Sequence, residues 1–220
     1  MCNVTDFAHT QFVRQKEIRT ILSKVVRCYE VLYNDFISNG DKLPNDENKI
    51  RDTLHYKYLN DKTVRSQVKL RQYIFVPEAY EDNMRDSSRG RADLKVIIQS
   101  RTFANPQEYY TIECKRIDGS RKLNSEYVTS GIRRFADNGV PLYSSYYGTN
   151  GMIAFLVSAI DVNRNIVDIN SHLKDNKSVT TTMSITEEAS VKHCFKSSHQ
   201  LNSQVLDLYH LMLDFSGIVN

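Results

Sequence analysis

The sequence predicts an α/β protein, in which a mixed β-sheet is flanked by helices. A long helix precedes the sheet and an α/β extension follows it. Three observations carry that expectation. Apolar residues recur at three- and four-residue steps up to about residue 60, then alternate at steps of two from about residue 72. Strand-like and helix-like segments interleave along the chain instead of segregating. One run, Gly151 to Ala159, is almost continuously apolar, as in a strand buried on both faces.

The first element runs from about Thr10 to Ser38, with Phe12, Ile18, Ile21, Leu22, Val25, Leu32 and Phe36 along one side and Asn39-Gly40 at its end. Pro44-Asn45-Asp46-Glu47 then reads as a fresh helix start, with acids where the helix dipole favours them. That second helix turns Ile50, Leu54, Tyr58 and Leu59 inward and stops near Asp61, and a short helix or turn follows from Thr63 to Lys69. Gln72 to Val76 reads as a strand ended by Pro77. A polar, turn-rich stretch from Glu81 to Gly90 leads to a strand from Ala92 to Ser100. A turn, Phe103 to Gln107, joins it to the next strand, Tyr109 to Ile117, so the two form a hairpin. Asn124 to Ala136 is a helix with Tyr127, Val128, Gly131, Ile132 and Phe135 on one side. After the buried strand come a helix (Asn163 to Lys174), a polar β-rich stretch (Val179 to Phe195) and a last apolar element (Val205 to Phe215). The 220 residues read as one domain: a helical extension (1–43), a core (44–160) and a C-terminal extension (161–220).

The balance of 29 Lys and Arg against 26 Asp and Glu excludes a histone-like tail, and 40% hydrophobic content excludes a disordered chain. The sum hides a gradient. Residues 49–134 hold 18 basic against 11 acidic residues, while the remainder holds 11 against 15. A positive middle suits an anionic substrate, although a chance fluctuation on a solvated surface gives the same count. The four cysteines, Cys2, Cys28, Cys114 and Cys194, form no close pair, which points to a reducing compartment. No secretory signal pattern opens the chain, and the longest mainly apolar run, Met152 to Ile160, is shorter than the roughly 20 residues a membrane span needs. A cytoplasmic protein with no membrane partner is expected.

The chemistry concentrates in Gly90-Arg-Ala-Asp93 and Ile112-Glu113-Cys114-Lys115. Glu113 and Lys115 are two apart on a strand and share a face, and Asp93 opens the partner strand of the hairpin. Two carboxylates and an amine at one end of a sheet make a hard-cation site. Mg²⁺ takes one or two carboxylates and completes its shell with water and phosphate oxygens. Acid-x-Lys occurs four times in the chain, so the tripeptide alone says little; what marks Glu113-x-Lys115 is its place in a hairpin strand opposite Asp93. A cross-strand salt bridge on a solvated face is the plainer alternative.

In these residues and this order of elements the chain resembles the PD-(D/E)XK nuclease superfamily, whose restriction-endonuclease-like core runs helix, three strands, helix, strand. The resemblance covers about Asn45 to Ala159. Asp93 matches the first-motif Asp, Glu113-Cys114-Lys115 the (D/E)XK, and Glu47 the additional acid that many members carry in the preceding helix. It implies that Asp93, Glu113 and the Cys114 carbonyl, with Glu47, hold Mg²⁺ (or Mn²⁺), and that Lys115 serves the attacking water. Ala92 stands where the signature has Pro, and Leu123 where one branch has the Gln of a Gln-x-x-x-Tyr helix. The helix around Tyr127 looks more like that of compact nucleases of bacterial anti-phage defence systems.

The resemblance thus implies a metal-dependent nuclease acting on DNA, double-stranded in preference to RNA, as the effector of such a system. A partner protein (a helicase, ATPase or sensor subunit) is expected beside it. Arg116, Lys122, Tyr127, Arg133 and Arg134 are the candidate nucleic-acid contacts, although each arginine and lysine alone reads as a solvated charge and Tyr127 as core. Glu47 reads equally as a first-turn acid stabilising its helix. His193, Cys194 and His199 lack the second pair that a zinc site needs. No nucleotide-binding loop and no serine-hydrolase elbow occurs. A non-catalytic nucleic-acid-binding or scaffold subunit of a larger complex is the alternative function.

Overall fold

A computed structural model describes residues 4–80, 91–102, 104–106, 108–139, 141–143, 147–201 and 204–220. Helix α1 (Val4–Asn39) starts before the expected Thr10 and ends where Gly40 takes a left-handed φ of 70°. Its apolar stripe, Ile18, Ile21, Leu22, Val25, Leu32 and Phe36, is buried against the sheet. Asp46 then caps helix α2 (Glu47–Leu54), its carboxylate accepting the Lys49 amide at 2.9 Å. The helix continues as a π-turn (His55–Leu59), and α3 (Lys62–Gln67) follows, capped by Asp61. Ile50, Leu54, Tyr58 and Leu59 are buried, as their spacing predicts.

Seven strands form one mixed sheet. They are β1 (Tyr73–Tyr80), β2 (Arg91–Ile98), β3 (Tyr109–Ile117), β4 (Thr149–Leu156), β5 (Thr181–Glu187), β6 (Cys194–Leu201) and β7 (Gln204–Asp214). Their order is β1-β2-β3-β4-β7-β6-β5. The central β3, β4 and β7 are parallel, and the outer pairings are antiparallel. A short helix α4 (Gln99–Thr102) follows β2. Between β3 and β4 one helix is built from α5 (Arg121–Glu126), a π-segment (Tyr127–Ile132) and α6 (Arg133–Ala136). Helix α7 (Val162–Asp175) follows β4.

Two features differ from expectation. Strand β1 runs through Pro77 instead of stopping at it. Among the described residues it lies at the sheet edge and pairs only with β2, where a residue without an N–H is tolerated. Residues 161–220, expected as an extension, supply three of the seven strands, and β7 pairs with β4 from Thr149↔Asp207 to Leu156↔Asp214. The expected turn-rich stretch 81–90 lies outside the described residues, as do Phe103 and Gln107 of the expected turn.

Strand alternation feeds two cores. Ile112, Cys114, Ile153, Phe155 and Leu211 pack beneath α1 and α2. Met152, Ala154 and Leu156 face the opposite way, towards Tyr127, Val128, Ile132 and Phe135 and towards α7. Strand β4 is buried along its whole length, as its apolar run predicts. Among the described residues no helix is long and apolar enough to cross a membrane. Cys28, Cys114 and Cys194 are buried free thiols.

A buried polar chain crosses the second core. The Tyr127 hydroxyl lies 2.9 Å from His210 Nδ1, and His210 Nε2 lies 2.9 Å from Ser197 Oγ. Ser197 Oγ in turn lies 2.8 Å from His199 Nε2. If Tyr127 donates, each group passes one proton on, which needs both imidazoles neutral. Burial enforces this, pushing His199 down to about 4 and His210 to about 3. Below about pH 6.5 the unfolded chain takes up protons that the fold refuses, so stability is held at neutral pH and lost as pH falls towards these depressed values. We expect each histidine to cost ~1.4 kcal/mol per pH unit across that window. Calorimetric melting between pH 7 and 4.5 checks this: the fall should be steep in the wild type and shallower in His199→Gln.

Candidate active site

Strand β3 carries its apolar residues Ile112 and Cys114 under α1 and so turns Glu113 and Lys115 to the other face. The regular β2–β3 ladder ends at Leu94↔Ile112. One residue further on, the Asp93 carboxylate takes over from the backbone, its Oδ2 accepting the Cys114 amide at 2.8 Å. Asp93 Oδ1 accepts from Arg51 Nη1 at 2.8 Å.

Glu113 is only 1% exposed. Its Oε1 lies 2.9 Å from Lys115 Nζ and 3.3 Å from Arg134 Nη1. Its Oε2 lies 2.8 Å from the Tyr143 hydroxyl. The Lys115 amine also reaches Glu47 Oε1 at 2.9 Å and donates to the Cys114 carbonyl at 2.9 Å. Glu47 Oε2 accepts the Arg116 amide at 2.9 Å. Helix α2 thus grips both strands where their ladder ends: Glu47 holds β3 through Lys115 and the Arg116 amide, and Arg51, four residues on, holds Asp93 of β2.

Burial, and then the nearby Asp93 charge, push Glu113 up to about 7 against the pull of Lys115 and Arg134. Burial works against the charged Lys115 amine, but Glu113, Glu47 and Asp93 outweigh it and hold its pKa above the ordinary range. Lys115 is therefore a fixed cation and a hydrogen-bond donor. Two local irregularities shape the site. Glu78, which pairs with Arg51 at 3.1 Å and Arg91 at 3.5 Å, adopts a left-handed φ of 47°. Gly131 lets the π-segment press on the strand: a Cβ there would lie 2.5 Å from Met152 Cε and 3.4 Å from Lys115 Cγ.

The expected quartet Glu47, Asp93, Glu113 and Lys115 is brought together. The expected nucleic-acid contacts disperse. Arg116 is tied to Asn45, at 2.6 Å from its carbonyl and 2.7 Å from its Oδ1. Arg133 pairs with Asp137 at 2.6 Å, and Lys122 is exposed. Arg134 turns inward to Glu113 and Tyr143. Tyr127 is fully buried on His210, as its reading as core anticipates, and this corrects its candidacy as a nucleic-acid contact, because the π-segment directs it into the second core. Sequence reasoning missed Arg51 and Tyr143. Arg51 was signalled by its i+4 spacing from Glu47, whereas Tyr143 follows Pro141-Leu142 with no periodicity to mark it.

Among the described residues no group of three or more His, Cys, Asp or Glu is arranged to hold a metal ion. Glu47 faces Lys115 and Arg116 and does not join the carboxylates of Asp93 and Glu113. The remaining donors, two carboxylates and the Cys114 carbonyl, are hard oxygens, a set that suits Mg²⁺ with water completing the shell. No family model matches the chain, and neither a curated protein nor a solved structure matches it.

The raised Glu113 pKa has a sign that can be checked. The fold holds a proton there that the unfolded chain releases above its ordinary 4.5, so this contribution is complete below that pH and lost as pH rises through about 7. With EDTA present, Glu113→Gln should be more stable than wild type at pH 8, by on the order of 2 kcal/mol, and the gap should close below pH 5. Urea unfolding at both pH values measures it. A less stable variant at pH 8 would mean that Lys115 and Arg134 outweigh burial.

Proposed function

We propose that residues 44–160 form a restriction-endonuclease-like core and that the protein is a metal-dependent nuclease acting on DNA. The observation that carries the reading is the Lys115 amine, 2.9 Å from both Glu113 and Glu47, beside Asp93 on the neighbouring strand. The order α2, β1, β2, β3, α5–α6, β4, with β4 parallel to β3, supports it. Asp93, Glu113 and the Cys114 carbonyl are the residues to hold Mg²⁺ or Mn²⁺. A bound ion supplies a water of lowered pKa and charge for the phosphoryl oxygens.

The chain's own groups do the rest. Lys115, held positive, donates to a water or a phosphate oxygen and offsets negative charge as it develops. Glu47 fixes that amine in place through its second contact to the Arg116 amide. Tyr143 and Arg134 orient the Glu113 carboxylate. A role as effector in antiviral defence, with a partner protein, is part of the same proposal.

One observation favours a second reading. Asp93 and Glu113 are each already matched by a cation, Arg51 on one and Lys115 with Arg134 on the other, as a non-catalytic binding or scaffold subunit would retain them. Plasmid cleavage with Mg²⁺ separates the two. Wild type should nick or cut DNA, and Glu113→Ala and Lys115→Ala should each lose ~100-fold or more, the scale of one electrostatic contribution to a transition state. Equal rates in all three remove the nuclease reading. A wild type that neither cleaves DNA nor binds Mg²⁺ or Mn²⁺ by calorimetry supports the scaffold.

A further inference from the structure

Helix α1 buries one face on the sheet, and its outer face lines a groove of about 520 Å³. Four cations, Lys16, Arg19, Lys24 and Arg27, run along it, with the hydroxyls of Thr20 and Ser23 between them. Their spacing follows i, i+3, i+4, i+7, i+8, i+11, the pattern of one helical face, and spans about 16 Å. Ser190 and Val191, in the β5–β6 connection, form the far wall, and Phe12 stands at one end, 59% exposed.

These charges are poorly answered from within. Among the described residues no ion pair involves Lys16, Lys24, Arg27 or the nearby Lys69, and Arg19 reaches Glu188 only at 4.0 Å. The Lys24 amine donates to the Val68 carbonyl at 2.8 Å, and burial first, then the charges of Arg27 and Lys69, lower its pKa. Like charges held together without an acid repel, and an anionic ligand relieves that repulsion.

We infer that this groove is a nucleic-acid-binding surface, which takes the phosphate backbone along Lys16, Arg19, Lys24 and Arg27. Its reach of about 16 Å spans a short run of neighbouring backbone phosphates. Phe12 offers a ring to an unpaired base at the groove's end. A membrane surface fits less well: α1 keeps its apolar face on the sheet, whereas an interfacial helix turns that face to lipid. The groove lies in the helix layer across the sheet from the face that carries Glu113 and Lys115, so it is a second contact. The choice of nucleic acid as occupant rests on the nuclease reading.

Fluorescence anisotropy of a labelled 20-base-pair duplex, titrated with protein in EDTA so that nothing is cleaved, tests the inference. Lys16→Glu/Arg27→Glu should weaken binding by tenfold or more and reduce the slope of log affinity against log salt by about 2. The control Lys174→Glu/Lys177→Glu changes net charge equally on exposed positions at the end of α7 and should shift affinity less than twofold. Melting curves confirm that both variants fold. Equal weakening by the two pairs, no weakening by the first, or wild-type binding to phosphatidylserine vesicles but not to DNA would overturn it. Groove-dependent DNA binding by a protein that cleaves nothing would keep this inference and remove the nuclease reading. Cleavage unaffected by the groove variant would do the reverse.

Discussion

A carboxylate withdrawn from water must be answered by positive charge within a few ångströms, and Glu113 imposes that demand on one end of the sheet. Lys115 and Arg134 meet it. The Lys115 amine, itself largely buried, then needs a second acid, which Glu47 supplies from the first turn of α2. The start of α2 is fixed by Asp46, and its next turn brings Arg51 onto Asp93. The same short helix sends Ile50 and Leu54 into the core beneath α1. Removing Lys115 leaves Glu113 buried without its nearest cation, and breaking a buried pair in this way typically costs about 3–5 kcal/mol. The packing of α2 and the charge state of β3 therefore stand or fall together.

Much of the fold was legible because single residues state their environment. The 3.6-residue stripe of α1, the helix start at Pro44 to Glu47, the β-rich run from Tyr109 to Ile117 and the apolar run of β4 each match an element of the structure, although α1 begins at Val4, well before Thr10. Pro77 misled, because a proline ends a central strand but is admitted at an edge, and edge position is a property of the whole sheet. The place of β7 was equally hidden: Val205 to Phe215 is apolar enough to be central, yet nothing local names β4 as its neighbour. At the site, Asp93, Glu113 and Lys115 could be found from spacing and register, and Glu47 only through the resemblance. Tyr143 could not, since it arrives from an irregular segment, whereas Tyr127 keeps its plainer reading as a core residue, its hydroxyl against a buried histidine.

The charge gradient along the chain also changes meaning. Residues 49–134 carry the basic excess, but Arg51, Lys115 and Arg134 spend their charge on acids of the site and Arg116 on Asn45. Outside that segment, Lys16, Lys24 and Arg27 of α1, which make no ion pair among the described residues, line a groove with Arg19. A count along the sequence cannot separate cations that neutralise an interior from those that face outward; only their partners in three dimensions can.

The central position of β7 orders events in time as well as in space. Strands β1 to β4 and the helix between β3 and β4 are all synthesised before β7, and until then one long edge of β4, buried along its whole length in the finished fold and apolar from Met152 to Leu156, has no partner. Pairs such as Thr149 with Asp207 are distant in sequence, so closing the sheet carries a loop-closure cost that local contacts do not. The nascent chain thus passes through an interval in which a sticky strand waits for its neighbour. The antiparallel hairpin of β6 and β7 gives that neighbour a rapid local route into a strand-ready shape.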